Sequence, residues 1–388
     1  MSVTAAAGFR AIGLAAGIKA SGNPDMALVV NDGPLDVAAA VFTSNRFPAA
    51  PVTWSRQAVA DGAARAVILN SGGANACTGP QGFADAHEMA ERTAASLQST
   101  GSDIGAGDVL VCSTGLIGEL LPMERIRTGI DAAVAGLSST GGPDAARAIM
   151  TTDSVPKTAQ LTTGGYTVGG MAKGAGMLAP ALATMLVVIT TDAVIDADLA
   201  DTAVRLASSL SFDRIDSDGC MSTNDTVILM ASGASGVTPD PASFTDAVTE
   251  VCADLARQLI GDAEGASKDI AITVRAAASE SDALEAARAI SRSNLLKCAI
   301  HGEDPNWGRI LSALGTTSAV FESDQVDVAI NGVWVCRGGG VGDSRDLVDM
   351  SDRLVQIDVD LGAGESEATI LTNDLTADYV HENSAYAT

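Results

Sequence analysis

Histidine is scarce in this sequence, with only His87, His301 and His381 among 388 residues. A single histidine could serve as an acid or a base, but so few do not suggest a histidine triad or a two-histidine metal site. No CxxC pair occurs among the six cysteines. We therefore expect the cysteines to be small buried hydrophobic residues rather than disulfides or ligands of a metal.

Aromatic and basic residues are also few. Phe, Trp and Tyr make up 3% of the chain, against 47% hydrophobic residues overall, so the core must be built from Ala, Val, Leu and Ile. Asp and Glu number 48 against 23 Lys and Arg, which gives a net charge of −25. This balance argues against nucleic acid as a partner, because phosphate binding needs a basic surface.

Long apolar runs and targeting signals are missing as well. No uninterrupted apolar run reaches the roughly 18 residues that a membrane span needs. The N-terminal segment carries Arg10 and Lys19 within it rather than ahead of it, unlike a signal peptide. We therefore expect a soluble, cytoplasmic protein without a membrane partner.

The sequence does contain an alternation of apolar strands with alanine-rich helices, long enough for two or three lobes. Two hairpins are predicted late in the chain, at Asn331–Gly332 and across 362–364. The segment 138–142, SSTGG, is predicted to be a flexible joint. The polar C-terminal segment 376–388 is expected to fray.

Two glycine-rich loops follow predicted strands, NSGGANACTG at 70–79 and STGLIG at 113–118. The first lacks the spacing of a nucleotide-binding loop; its glycines could cradle an anion, make tight turns near a site, or only make tight turns. In the second, Thr114 and Gly115 offer a hydroxyl and an open backbone N–H, the donors that an oxyanion hole uses. An ordinary turn at a strand end explains the same residues.

The segment 173–192 reads KGAGMLAPALATMLVVITTD and places Thr184 at the start of a buried strand. A threonine hydroxyl needs an adjacent base, and a chain cut just before Thr184 would supply one in its new α-amine. That amine titrates near ~8, so part of it is free base at neutral pH. From residue spacing alone, Thr184 is also explained as one more strand residue.

These segments, together with MTTD, GDAEGASK, DPNWGR and the ENSAYAT ending, closely resemble the ornithine acetyltransferase family of the arginine pathway. The resemblance runs from about Gly8 to Thr388, and the block around Thr184 is its most specific part. It implies an α+β layered sandwich, similar to N-terminal-nucleophile hydrolases, with a smaller C-terminal lobe from about residue 280. It also implies a precursor that cuts itself between Ala183 and Thr184 into an α chain, 1–183, and a β chain, 184–388, assembled as two of each.

The resemblance further implies an activity and a set of site residues. Thr184 would take the acetyl group from N2-acetyl-L-ornithine and pass it to L-glutamate without a cofactor, and acetyl-CoA is a further donor in some relatives. Thr114 and Gly115 would form the oxyanion hole. The implied substrate-binding residues are Thr151, Thr152, Lys173, Thr184, Glu264, Asn383 and Thr388. Lys173 would face the shared α-carboxylate and Glu264 the ornithine ammonium, although Glu264 taken alone reads as part of a solvated acidic turn.

Three alternatives remain at this point. One is a self-cleaving amidase or aminopeptidase of related fold, in which water resolves the acyl-threonine. Another is a non-catalytic binding protein in which Thr184 is only a strand residue. The third is a paralogue with a different acyl acceptor, for which the residues give no positive support.

Overall fold

A computed structural model describes residues 2–178 and 185–385. Three sheets and ten α-helices occur within these ranges. The first sheet has the strand order β1-β2-β4-β5, the second β3-β9-β8-β7-β6, and the third β13-β12-β11-β14-β10-β15. Helices and sheets are both prominent, and the layered α+β expectation is confirmed.

The elements of the first two sheets occupy the chain up to Gly261. The strands are β1 Phe9–Leu14, β2 Met26–Asn31, β3 Val37–Phe42, β4 Ala66–Asn70, β5 Val109–Ser113, β6 Lys157–Thr163, β7 Tyr166–Lys173, β8 Leu186–Thr191 and β9 Thr226–Ala231. The helices are α1 Ala50–Ala58, α2 Gly79–Gln98, α3 Met123–Gly136, α4 Gly142–Ala148, α5 Ala197–Leu210 and α6 Pro241–Gly261.

The third sheet and its helices follow. The strands are β10 Asp269–Ala277, β11 Asp327–Ile330, β12 Val333–Arg337, β13 Gly340–Val341, β14 Leu354–Asp360 and β15 Ser366–Asn373. The helices are α7 Glu280–Ser291, α8 Asn294–His301, α9 Trp307–Leu314 and α10 Ala377–Ala385. The division of the chain at 183/184, with a lobe from about 280, stays a prediction.

The first and second sheets pack face to face. One core cluster joins Val29 and Val67 of the first sheet to Val188 and Ile228 of the second. The outer face of the first sheet is covered by α2 and α3, and that of the second by α5 and α6. The central strands are buried on both faces, which explains why their sequences are continuous apolar runs rather than alternating patterns.

Several helices of this fold, among them α5 and α6, begin with a side chain that caps their first turn. Asp240 accepts a hydrogen bond from the Ser243 N–H at the start of α6, and Pro241 occupies its first turn. Asp196 accepts from the Leu199 N–H at the start of α5. These caps satisfy N–H groups that have no partner within the helix.

Several expectations from the sequence are wrong. The segment 362–364 does not close a hairpin, because β10 lies between β14 and β15 and pairs with both. The 138–142 segment is a packed turn rather than a flexible joint: Ser138 bridges to Ala11, and Gly141 and Gly142 are buried. The hairpin at Asn331–Gly332 is confirmed by the pairing of β11 with β12.

The C-terminal segment and the cysteines also differ from expectation. Residues 377–385 form α10 rather than a frayed end. All six cysteines are free, but only Cys112, Cys252 and Cys336 are buried, whereas Cys77, Cys220 and Cys298 are exposed. None of the helices in the described ranges is both long and apolar enough to cross a membrane.

Candidate functional site

Most of the site residues predicted from the sequence line one cleft. Its lining residues are Thr114, Gly115, Thr151, Thr152, Lys173, Gly176, Met177, Glu264 and Asn383. Ala183, Thr184 and Thr388 were also predicted, and they lie outside the described residues. The cleft therefore brings together side chains from five separate parts of the sequence.

The two glycine-rich loops pack against each other beside the ends of β4 and β5. The Gly73 N–H donates to the Thr114 carbonyl at 3.0 Å, and the Thr114 N–H donates to the Asn70 carbonyl at 3.0 Å. Gly115 has φ +133, and a Cβ there would lie 2.7 Å from Gly73 N. Only glycine fits this close approach, so these glycines make tight turns at a site.

The donors predicted for an oxyanion hole are available at this corner. Lys173 Nζ donates to Thr114 Oγ1 at 3.3 Å. Because the lysine uses a lone pair of that oxygen, the Thr114 hydroxyl proton remains free to donate. Within the described part of the chain, the Gly115 N–H has no hydrogen-bond acceptor.

Lys173 is a buried cation, with 1% of its surface exposed. Burial lowers the pKa of Lys173 below its usual 10.5, and the attraction of Asp153 only partly offsets this effect. A buried ammonium is poorly hydrated, so it gains more from an incoming carboxylate than an exposed lysine would.

Glu264 is held inside the cleft rather than in a solvated acidic turn. Its Oε1 accepts from the Thr152 hydroxyl at 2.7 Å, and its Oε2 accepts from Asn383 Nδ2 at 3.0 Å. A Cβ on Gly176 would lie 2.7 Å from the carboxylate, so this glycine permits the close approach of the two loops. Glu264 thereby places a negative charge opposite Lys173 within one cleft.

A buried ion network fixes the loops that carry these residues. Lys157 Nζ donates to Asp153 Oδ1 at 2.7 Å and to Asp262 Oδ2 at 2.6 Å. Asp153 also accepts from the Thr151 N–H at 2.9 Å and from the Gly174 N–H at 2.6 Å. Burial opposes ionisation of Asp153, but Lys173 and Lys157 outweigh it and lower the pKa of this carboxyl.

Sequence reasoning did not find this network. Lys157 and Asp153 are four residues apart, yet Asp262 is more than one hundred residues away. Only the position of Asp153 in the TTD segment next to Thr151 and Thr152 could have pointed to it.

Asp225 is a second residue that the sequence did not reveal. It is fully buried, and its Oδ1 accepts from the Met185 N–H at 3.1 Å. Burial raises the pKa of Asp225 well above its usual 3.8. The neighbouring Asn224 donates to the carbonyls of Ala74 and Ser113, at 2.6 and 2.8 Å, and so ties β9 to both glycine-rich loops.

Among the described residues that line the cleft, Lys173 is the cation and Glu264 is the anion. Within residues 2–178 and 185–385, no group of three or more His, Cys, Asp or Glu could hold a metal. The arrangement offers one buried ammonium, one carboxylate and two unengaged donors. It can bind a zwitterionic amino acid and stabilise a negative oxygen.

Comparisons with known proteins identify the family of this chain. Residues 10–388 match the ArgJ family. The chain is 66% identical to the arginine biosynthesis bifunctional protein ArgJ of Streptomyces avermitilis and 64% identical to that of Streptomyces coelicolor, and each alignment covers 100% of both proteins. A crystal structure of ornithine acetyltransferase complexed with ornithine, from Mycobacterium tuberculosis, is 57% identical, covers 48% of this chain and 96% of that one, and has a TM-score of 0.46. With a match over nearly its whole length and relatives of this identity, the chain belongs to the ArgJ family.

Proposed function

We propose that this protein transfers the acetyl group of N2-acetyl-L-ornithine to L-glutamate, through an acetyl ester on Thr184. The observation that carries the proposal is the single cleft in which Thr114, Gly115, Lys173 and Glu264 meet. Relatives of more than 60% identity that are named as arginine biosynthesis proteins support it.

In the first half of the reaction, the Thr184 hydroxyl attacks the acetyl carbonyl. The new α-amine of Thr184 takes the hydroxyl proton, and the tetrahedral oxygen is stabilised by the Thr114 hydroxyl and the Gly115 N–H. The C–N bond then breaks, ornithine leaves with the proton, and the acetyl group remains as an ester. Removing one oxyanion donor typically costs about 10²- to 10³-fold in rate.

In the second half, the amine of L-glutamate attacks the ester and restores the free Thr184 hydroxyl. Both amino acids place an α-carboxylate near Lys173. Glu264, with Thr152 and Asn383 as its hydrogen-bond partners, suits the side-chain ammonium of ornithine. Thr151 and Thr388 complete the proposed substrate contacts, and the ester supplies the activation that a cofactor would otherwise provide.

The free α-amine arises by self-cleavage in this proposal. The Thr184 hydroxyl attacks the Ala183 carbonyl, the amide becomes an ester, and water hydrolyses that ester to leave the two chains 1–183 and 184–388. We further propose that two copies of each chain assemble in the cytoplasm. Acetyl-CoA as an alternative donor would fit the word bifunctional in the relatives' names.

Intact-mass analysis of the purified protein tests this function. We expect two pieces of 183 and 205 residues, since 388 minus 183 is 205. Incubation with acetylornithine should add one acetyl mass to the larger piece, and L-glutamate should remove it as acetylglutamate. Thr184→Ala should abolish both cutting and transfer, whereas Thr163→Ala, an exposed threonine at the end of β6, should preserve both.

Two results would contradict the proposal. An uncut chain that still transfers acetyl groups would rule out the free α-amine as the base. Release of free acetate without glutamate would favour the amidase alternative.

A further inference from the structure

Glu264 also lines a second, larger cavity, next to the candidate cleft. This cavity has a volume of about 460 Å³ and lies among Asp218, Arg292, Asn294, Lys297, Asn373 and Tyr379. Glu264 is the only one of the described cleft-lining residues that it shares. Its size falls within the range of roughly 300 to 1,000 Å³ that is typical of small-molecule sites.

Two cations in the wall of this cavity have hydrogen-bonding capacity to spare. Arg292 Nε donates to Asp216 at 2.7 Å, and its two Nη groups have no partner within the described residues. Lys297 donates to the Ser217 carbonyl and, at 3.2 Å, to Thr372 Oγ1, which leaves one of its three protons free. These groups can hold a carboxylate between them.

Burial lowers the pKa of Lys297 to about 8, while the nearby carboxylates of Asp218 and Asp216 favour its charged form. Lys297 is 5% exposed, so its ammonium group has little contact with bulk solvent. An anion that enters the cavity would therefore be a favourable partner for this group.

The acidic residues of the cavity keep some capacity to accept hydrogen bonds. Each oxygen of Glu264 accepts one hydrogen bond, from Thr152 or from Asn383, and Asp218 accepts from the Cys220 N–H at 3.1 Å. A carboxylate oxygen has two lone pairs, so Glu264 can accept further hydrogen bonds. The cavity therefore offers acceptors as well as donors, which suits a ligand with both an anionic and a cationic group.

We propose that this cavity is a second binding site for a free α-amino acid, adjacent to the transfer cleft and sharing Glu264 with it. The carboxylate binds at Arg292 and Lys297, and the amino group faces Asp218 and Glu264. This site goes beyond the transfer reaction, which needs only the cleft.

Calorimetric titration of the whole protein with L-glutamate tests the proposal. We expect one site in the cleft and one in the cavity. Asn294 is exposed, and its side chain has no hydrogen-bond partner among the described residues, so Asn294→Trp should fill the cavity without removing a charge. This variant should bind one glutamate fewer than the unmodified protein and keep its acetyl transfer.

Leu295→Trp is the matched control, because Leu295 is exposed on the same helix but does not line the cavity. It should bind as many glutamates as the unmodified protein. The proposal is overturned if the unmodified protein binds a single glutamate, or if Asn294→Trp binds as many as the control. Acetyl transfer is measured separately, so loss of the proposed function and loss of this site are distinguishable.

A second variant covers the case in which Asn294→Trp does not fold. Arg292→Lys keeps a cation beside Asp216 but loses the planar fork that grips a carboxylate. It should weaken one glutamate site by about tenfold and leave the other unchanged; no change at either site would overturn the assignment. Inorganic phosphate that displaces glutamate from the cavity at equal concentration would also overturn it, by revealing a general anion site.

Discussion

At the scale of single residues, the site depends on charges that are buried close together. Lys173 donates a hydrogen bond to the Thr114 hydroxyl and is attracted by the carboxylate of Asp153. Lys157 neutralises Asp153 and Asp262 at the same time. Each of these charges has an opposite charge nearby, which is the condition under which burial is tolerated.

Asp225 gives a prediction about pH at this scale. Burial raises the pKa of Asp225 above its usual 3.8. Above pH 3.8 the unfolded chain therefore loses this proton before the folded protein does, and the folded protein loses stability as the pH rises towards the raised pKa. One proton contributes a slope of up to about 1.4 kcal/mol per pH unit. The side chain in Asp225→Asn cannot ionise, and it keeps an acceptor for the Met185 N–H. The free energy of unfolding of this variant, minus that of the unmodified protein, should therefore increase as the pH rises.

Urea denaturation at several pH values between about 5 and 8 measures this difference. Asp103→Asn, which changes an exposed carboxylate, should run parallel to the unmodified protein. Parallel curves for Asp225→Asn as well would mean that Asp225 is already ionised in the folded protein.

At the scale of elements, α10 closes the cleft without belonging to a core. It buries none of its own residues. It is nevertheless anchored, because Thr376 Oγ1 donates to the Gly265 carbonyl at 2.6 Å and Asn383 bonds Glu264. The helix therefore contributes to binding more than to folding.

Removal of residues 377–388 should separate these two contributions. We expect the melting temperature to change little, because no apolar core is lost, and the KM for acetylornithine to rise about tenfold or more, because a hydrogen bond to a charged group contributes about 1.5–3 kcal/mol. Steady-state kinetics and thermal melting check both parts.

Single substitutions within α10 refine this test. Asn383→Ala should reproduce part of the rise in KM, and His381→Ala, an exposed neighbour, should not. A truncated protein with an unchanged KM would place the substrate away from α10.

At the scale of the whole molecule, the segments on either side of the proposed cut are interleaved in one sheet. In the order β3-β9-β8-β7-β6, the strands β8 and β9 follow residue 184, and their neighbours β3 and β7 precede residue 183. The pairs β3–β9 and β7–β8 therefore cross the cut. The Lys157–Asp262 ion pair crosses it too.

We expect the two pieces to stay together after cleavage, because separation would break two strand pairs and so expose four strand edges, together with the core between the sheets. They should elute as one species in size-exclusion chromatography and appear as two bands only on a denaturing gel. The uncut Thr184→Ala protein serves as the control for elution volume. Separate elution of the pieces without denaturant would contradict this arrangement.

Much of the fold could be read from local patterns. The strand before the 70–79 loop and the strand after Thr184, which are β4 and β8, were predicted because apolar runs and turn residues are local signals. The two glycine-rich loops and the block around Thr184 identified the family and thus the site residues. The hairpin predicted at 362–364 was wrong, because turn residues do not reveal that β10 is inserted between the strands they connect.

The sequence by itself determined the chemical groups of this protein: its acidity, its alanine-rich layers, and the threonine, lysine and glutamate expected to act on a substrate. Only the tertiary structure decided that Glu264 meets Thr152 and Asn383, that Lys157 joins Asp153 to Asp262, and that a second cavity lies beside the cleft. The physical reason is that motifs are local, whereas Glu264 meets Thr152 and Asn383, and Lys157 meets Asp262, across more than one hundred positions of sequence. Their proximity depends on how the sheets and helices pack.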